Sequence, residues 1–310
     1  MNNSPDPKHW HVGLVGYGEV GRILAEDLRN IDIAVSAYDV KLTTAGAVAI
    51  EAHAAAIGVV LTKSHRELAA KADLIISAVT ASQAVPVASA CAGSVKRGSY
   101  FLDFNSASPG AKIRAAALID AAHGCYVEGA VMTSIPPQRI RVPLLLGGAH
   151  AHTLAPLLAQ LGFAASVSST TLGVASATKM CRSIMIKGME AMVIESYTTA
   201  RAYGVEDQVL ASLKETFPGV DWEQQGNYFF QRVIQHGRRR AEEVREVAVT
   251  VGDIGLTPWS AAATAERQAW VADLADEGLF GDKAAKRDDW RFEADRILDA
   301  LKTRQKSMKD

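Results

Sequence analysis

The feature that most constrains this chain is Gly16-Tyr17-Gly18-Glu19-Val20-Gly21, set between the apolar run His11 to Val15 and a segment whose Ile23, Leu24 and Leu28 recur at helical spacing. A second apolar run, Ile33 to Tyr38, ends in Asp39, 18 positions after Gly21. Strand, glycine turn, helix, strand and acid in that order make a Rossmann-type βαβ unit. The first glycine permits the tight turn, the second lets a pyrophosphate approach the backbone, and the third lets helix and strand pack closely. The helix N-terminus then faces the phosphates. Asp39 is placed to accept from the adenosine ribose hydroxyls and to repel a 2′-phosphate, which favours NAD. Lys41 offers a charge to that phosphate if Asp39 turns away, so NADP stays possible.

The first half of the chain continues the alternation. Val59 to Leu61, Leu74 to Val79 and Tyr100 to Phe104 read as buried strands with helical segments between them, which predicts a parallel sheet covered on both faces. Tyr126-Val127 and Val142 to Leu146 add strand candidates around an irregular loop at Pro136-Pro137, and residues 162–169 read as a linker. Beyond about residue 170 strand-like runs vanish. Helices are predicted over about Leu172 to Tyr203, Glu206 to Thr216, Trp222 to Val251, Pro258 to Asp276 and Asp282 to Lys306. The fold class is therefore a doubly wound α/β domain, residues 1–169, followed by an all-α domain, residues 170–310, with a long helix joining them.

Composition removes several function classes. Thirty-three Lys and Arg against 34 Asp and Glu leave a net charge of −1, so no global field draws the chain to nucleic acid. No apolar run approaches the ~20 residues of a membrane span, and the first eight residues, which lack the core of a signal peptide, are expected to fray. Cys91, Cys125 and Cys181 form no CxxC pair and suit a reducing, cytoplasmic setting, with Cys181 read as buried or partly buried. His150 and His152 have no carboxylate or cysteine at ligand spacing, so no metal is predicted.

Several stretches together resemble the β-hydroxyacid dehydrogenase family, which includes 3-hydroxyisobutyrate and 6-phosphogluconate dehydrogenases. Gly13 to Gly21 with Ala25 and Leu28 is similar to the family's extended fingerprint, with Val20 where methionine is usual and Asp27 where asparagine is usual. Asp103-Phe-Asn105-Ser106-Ala-Ser-Pro109 resembles the loop beside the nicotinamide, and Val79-Thr80 falls where another such loop begins. Gly173-Val-Ala-Ser-Ala-Thr-Lys179 is similar to the opening of the interdomain helix. The resemblance makes Lys179 the catalytic acid or base of a hydride transfer between a nicotinamide and a hydroxy or carbonyl substrate of hydroxyacid type.

Departures from the family pattern bear on the substrate. Arg182 and Ser183 stand where the family carries two asparagines. Lys179, Ser183 and Lys187 share a helix face, so Ser183 can serve a substrate oxygen and Lys187 adds charge, while Arg182 either clamps a carboxylate or points to water. The substrate loop reads Glu128-Gly-Ala-Val-Met132-Thr133-Ser134, and Met132 offers no hydroxyl, so the pocket reads as more apolar than one made for a small hydroxyacid. The chain looks most like a branch with a Lys-Met-Cys helix variant and a His-Gly-Arg-Arg-Arg-like run in a C-terminal domain of unassigned function. In that run His236, Arg240 and Glu243 share a face, which is either an anion clamp at the site or a solvated charge cluster. An imine reductase of the same architecture and a non-catalytic dinucleotide sensor are the alternatives. Met185, Ile186, Met189, Met192, Val193 and Ile194 exceed what one helix face needs, so a homodimer through the helical domain is expected, burying more than about 2,000 Å².

Overall fold

Strand β1 (His11–Val15) is buried along nearly its whole length, so it needs a neighbour on each side and cover on both faces. The computed structural model, which describes residues 6–282 and 287–307, supplies both. β1 lies parallel between β2 (Ala34–Tyr38) and β4 (Leu74–Ser77), in a sheet ordered β3-β2-β1-β4-β5-β6-β7-β8. The remaining strands are β3 (Val60–Leu61), β5 (Tyr100–Asp103), β6 (Cys125–Val131), β7 (Leu144–Gly147) and β8 (Ala165–Ser169). Helices α1 (Glu19–Arg29), α2 (Ala47–Ile57), α3 (His65–Lys71), α4 (Ala84–Ala92), α5 (Pro109–Ala121) and α6 (Ala151–Gln160) alternate with them. One apolar cluster gathers Val12, Leu14, Leu24, Leu28 and Leu102; another gathers Val15, Ile75, Phe101, Ile119 and Tyr126, so the doubly wound expectation holds.

The sheet departs from that expectation at its far edge. β7 runs antiparallel to β6, and residues 162–169, read as a linker, contain β8, which pairs parallel with β7. Small polar residues at alternate positions of β8 hid the strand, because an edge strand has less surface to bury. β6 is also longer than its apolar core, so Glu128 to Val131 lie in a strand and only Met132 to Ser134 enter the loop. Of the eight residues expected to fray, 1–5 lie outside the described residues; Pro7–His9 form a 3-10 turn with Pro7 buried.

The chain divides into two compact units, 1–180 and 181–310, and the break falls within α7 (Val174–Tyr203). The second unit contains the rest of α7, α8 (Glu206–Thr216), α9 (Trp222–Asp253), α10 (Trp259–Asp276) and α11 (Trp290–Ser307). Its core gathers Val193, Ile194, Tyr197, Phe230, Val233, Val271, Trp290 and Ile297. Gly237, inside the His-Gly-Arg run, marks the close approach of α9 to α10: a Cβ there would stand 2.8 Å from the carbonyl oxygen of Gln268. The last helix starts at Trp290 rather than at Asp282, with the Asp289 carboxylate accepting from the Phe292 amide at 3.1 Å; residues 283–286 lie outside the described residues. Cys181 is exposed, against the expectation of a buried thiol. Among the described residues no helix is long and apolar enough to cross a membrane.

Candidate functional site

Sheet order reverses direction between β1 and β4, and in a doubly wound sheet the crevice beyond the carboxyl ends of the strands at that point receives the ligand. The sequence-predicted residues fall on five successive carboxyl ends: Gly16 to Gly21 after β1, Asp39 and Lys41 after β2, Val79 and Thr80 after β4, Asn105 and Ser106 after β5, and Met132 to Ser134 after β6.

The three glycines have different reasons to be glycine. Gly16 has φ +91°, and a Cβ on it would lie 2.4 Å from the Ala78 carbonyl oxygen; a Cβ on Gly21 would lie 2.1 Å from the carbonyl oxygen of Gly16. Gly18 instead faces open space, with nothing within 4 Å of where its Cβ would be, and it starts α1 without a side-chain cap. That is an open cradle at a helix N-terminus, and it fits a pyrophosphate. Tyr17, between them, is turned into the protein, its hydroxyl 3.1 Å from His53 Nδ1, and burial pushes its pKa up to about 12.

Asp39 is held at both oxygens. Oδ2 accepts from the Tyr17 amide at 2.7 Å and Oδ1 from the Lys41 amide at 2.8 Å, so the carboxylate ties the end of β2 to the glycine turn. The side chain of Lys41 is exposed.

On the other side of the switch point, Asn105 is buried and bridges two strand ends. Its Oδ1 accepts from the Val79 amide at 2.7 Å and its Nδ2 donates to Ser77 Oγ at 2.9 Å. Thr80 follows, exposed. Behind the loop lies a network that sequence reasoning missed. Asp103 Oδ1 accepts from Lys112 Nζ at 2.8 Å and from the Asn105 amide at 2.8 Å, and Oδ2 accepts from the Tyr126 hydroxyl at 2.8 Å. Lys112 and Asp103 are both almost wholly buried, and burial together with Asp103 holds the Tyr126 hydroxyl well above its usual pKa. The signal was a lone lysine in the alanine-rich run after Pro109, nine positions beyond an acid that closes an apolar strand. Ser106 ends this construction, and Lys179 Nζ donates to its Oγ at 2.6 Å. Met132 and Ser134 are half-buried and Thr133 is exposed.

The candidates of the second unit are engaged differently. Ser183 is buried and Arg182 exposed. Lys187 Nζ pairs with Glu243 at 2.6 Å; burial lowers the lysine's pKa, with Glu243 acting against that shift. Arg240 is buried against Glu190, its Nε 2.9 Å from Oε2, with a second, shorter contact through Nη2. Glu243 also takes Arg239 at 2.6 Å, and His236 lines an open groove of about 560 Å³ with Asn227, Gln231 and Gln235. The expected common face for an anion is thus shared among separate engagements: two of its members close ion pairs inside the helical unit. Among the described residues no group of three or more His, Cys, Asp or Glu side chains is placed to hold a metal ion.

This arrangement defines a dinucleotide-binding protein of the hydroxyacid dehydrogenase type. Residues 11–162 match the NAD binding domain of 6-phosphogluconate dehydrogenase, and residues 200–271 match a domain of unknown function, DUF1932. A conserved hypothetical protein from Sinorhizobium meliloti 1021 is 36% identical, covering 84% of this chain and 87% of that one, with a TM-score of 0.71. A second conserved protein of unknown function, described as structurally similar to 3-hydroxyacid dehydrogenases, is 26% identical over 86% of this chain and 99% of its own, with a TM-score of 0.67. Mycobacterium tuberculosis 3-hydroxyisobutyrate dehydrogenase, at 16% identity, shares the fold over 92% of this chain and 99% of its own, also with a TM-score of 0.67. The chain belongs to the β-hydroxyacid dehydrogenase family, in the branch that joins this NAD-binding domain to DUF1932.

Proposed function

We propose that the protein is an NAD-dependent dehydrogenase or reductase that interconverts a hydroxy compound of hydroxyacid type and its carbonyl partner, with Lys179 as general acid and base. The observation that carries this reading is the 2.6 Å contact from Lys179 Nζ to Ser106 Oγ, which puts an amine at the end of the loop after β5, beside the switch point. The bound dinucleotide supplies the hydride acceptor or donor. The chain's own part is to hold the pyrophosphate at the Gly18 cradle, keep the loops after β4 and β5 in register through Asn105, and move a proton at Lys179 Nζ to or from the substrate oxygen. Lys187 and Arg240 are left out of the substrate contacts, because each is buried against a carboxylate; the Met132 to Ser134 loop remains as a substrate contact. The test is consumption of NADH across a panel of 2-oxo and 3-oxo acids, aldehydes and imines. Tight NADH binding without turnover on any of them favours a dinucleotide sensor, and turnover confined to imines favours an imine reductase.

The preference for NAD rests on Asp39, whose two backbone hydrogen bonds keep the carboxylate where a 2′-phosphate would sit and oppose the rotation that Lys41 would need. Asp39→Ala should weaken NADH and improve NADPH relative to it in fluorescence titrations. A wild type that already prefers NADPH by about tenfold or more would make Lys41 the reader instead.

The homodimer is proposed on the same footing. Met185 and Met192, two turns apart on α7, are 64% and 63% exposed, which is costly for a free helix face in water. Light scattering at micromolar concentration should give twice 33.1 kDa, and Met185→Glu with Met192→Glu should shift the protein towards the single-chain mass. A wild type that stays at 33.1 kDa would leave those methionines as ordinary exposed residues.

A further inference from the structure

Two of the buried side chains of strand β6, Tyr126 and Glu128, stand two residues apart and therefore on one face of the sheet. Each secures one partner of the Lys179–Ser106 contact. Tyr126 holds Asp103, which with Lys112 anchors the loop that ends in Ser106. Glu128, with no exposed surface, reaches the start of α7: Oε1 accepts from the Gly173 amide at 2.9 Å and the Ala175 amide at 3.0 Å, and Oε2 accepts from Ser176 Oγ at 2.9 Å. Helix starts leave backbone donors unpaired and favour a carboxylate, so this end of α7 is tied at three points. The opposite strand makes room for it. Gly147 stands across from Glu128 in register, and a Cβ there would lie 2.2 Å from Oε1.

Lys179 lies four residues after Ala175, one turn into the helix and on the same side. Sliding a helix by a single residue means about 1.5 Å of rise and about 100° of rotation, which would carry the amine away from Ser106. A buried carboxylate is an expensive way to cap a helix unless its position matters, because removing it from water is unfavourable until its hydrogen bonds offset that loss. We infer that Glu128 is a positioning residue for Lys179, setting the translation and rotation of α7 so that the amine meets the loop after β5. This rests on the reading of Lys179 as the acid and base; Glu128 itself touches neither substrate nor dinucleotide.

The test compares Glu128→Ala, Glu128→Gln and Ser176→Ala with wild type, all with NADH bound. One measurement is the rate at which formaldehyde and borane methylate Lys179, followed by peptide mass spectrometry, which needs no substrate. The other is kcat on whichever carbonyl compound of the panel wild type reduces, beside the NADH dissociation constant. In Glu128→Ala methylation of Lys179 should rise by about threefold or more and kcat fall by roughly 10–100-fold, with NADH affinity changed by less than about twofold. Glu128→Gln keeps an acceptor for both amides and should return both readings to within about threefold of wild type. Should the alanine variant fail to fold, Ser176→Ala, which removes one of the three ties, should still raise the methylation rate. The inference is overturned by wild-type methylation and kcat in a folded Glu128→Ala, by a wild-type methylation rate in Ser176→Ala when that variant must stand in, or by equal loss in the Gln and Ala variants. Full turnover by Lys179→Ala would remove the acid and base reading while leaving the methylation result as a separate measure of the helix anchor.

Discussion

Lys179→Ala should lower kcat by roughly 10²–10⁴-fold, the usual weight of general acid or base catalysis, while NADH affinity and thermal stability stay near wild type. The expectation follows from where the side chain is. Lys179 is half-buried, and its Nζ donates to a loop hydroxyl, Ser106 Oγ. Its removal therefore disturbs neither the cradle at Gly18 nor the Asp103–Lys112 pair that anchors the loop. Steady-state kinetics beside a fluorescence titration separate the two effects. Turnover within about threefold of wild type would show that the amine is a structural tie to Ser106 and that the proton comes from elsewhere. A large loss in both kcat and NADH affinity would instead place the lysine in dinucleotide binding.

Arg240→Met should destabilise the protein by about 3–5 kcal/mol, read from chemical denaturation, because it leaves the Glu190 carboxylate buried without its cation. Glu190 is 1% exposed and Arg240 5%, so water cannot substitute. The double variant Arg240→Met with Glu190→Leu should recover most of that loss, since replacing a whole buried pair by apolar side chains is often neutral. Recovery should stop short of complete, because Gln268 Nε2 donates to Glu190 Oε2 at 3.1 Å and would lose that acceptor. This cycle also decides between two roles. If Arg240→Met leaves stability unchanged and raises KM for an anionic substrate, the arginine belongs to the site after all and the pair with Glu190 opens during turnover.

The glycine-turn part of the candidate cofactor site was legible in the sequence because every element of it is local. The glycine turn, the strand before it, the helix after it and Asp39 lie within 29 consecutive residues, and each follows from backbone conformation or chain-end geometry that neighbouring residues dictate. Asn105, Ser106 and Lys179 were legible through family resemblance alone, since no spacing rule connects positions 73 residues apart. The far edge of the sheet was not legible. β8 has polar residues at alternate positions and reaches the main core only through the partly buried Ala165 and Val167, so its hydrophobic pattern is weak, and the direction of β7 depends on which neighbour it meets.

What the sequence by itself determined is the fold class and the glycine turn with Asp39 at the switch-point crevice, because periodicity and turn chemistry act over a few residues. What only the tertiary structure decided is how the charges are used. His236, Arg240 and Glu243 fall on one face of α9 by spacing, and spacing cannot say that α7 sets Glu190 against one of them and Lys187 against another. Likewise Glu128 reads as one acid in a loop until β6 carries it beneath the first turn of α7, where three donors converge on it. A charged side chain inside a protein takes its role from the partner that repays its desolvation, and that partner is chosen by packing between elements distant in sequence.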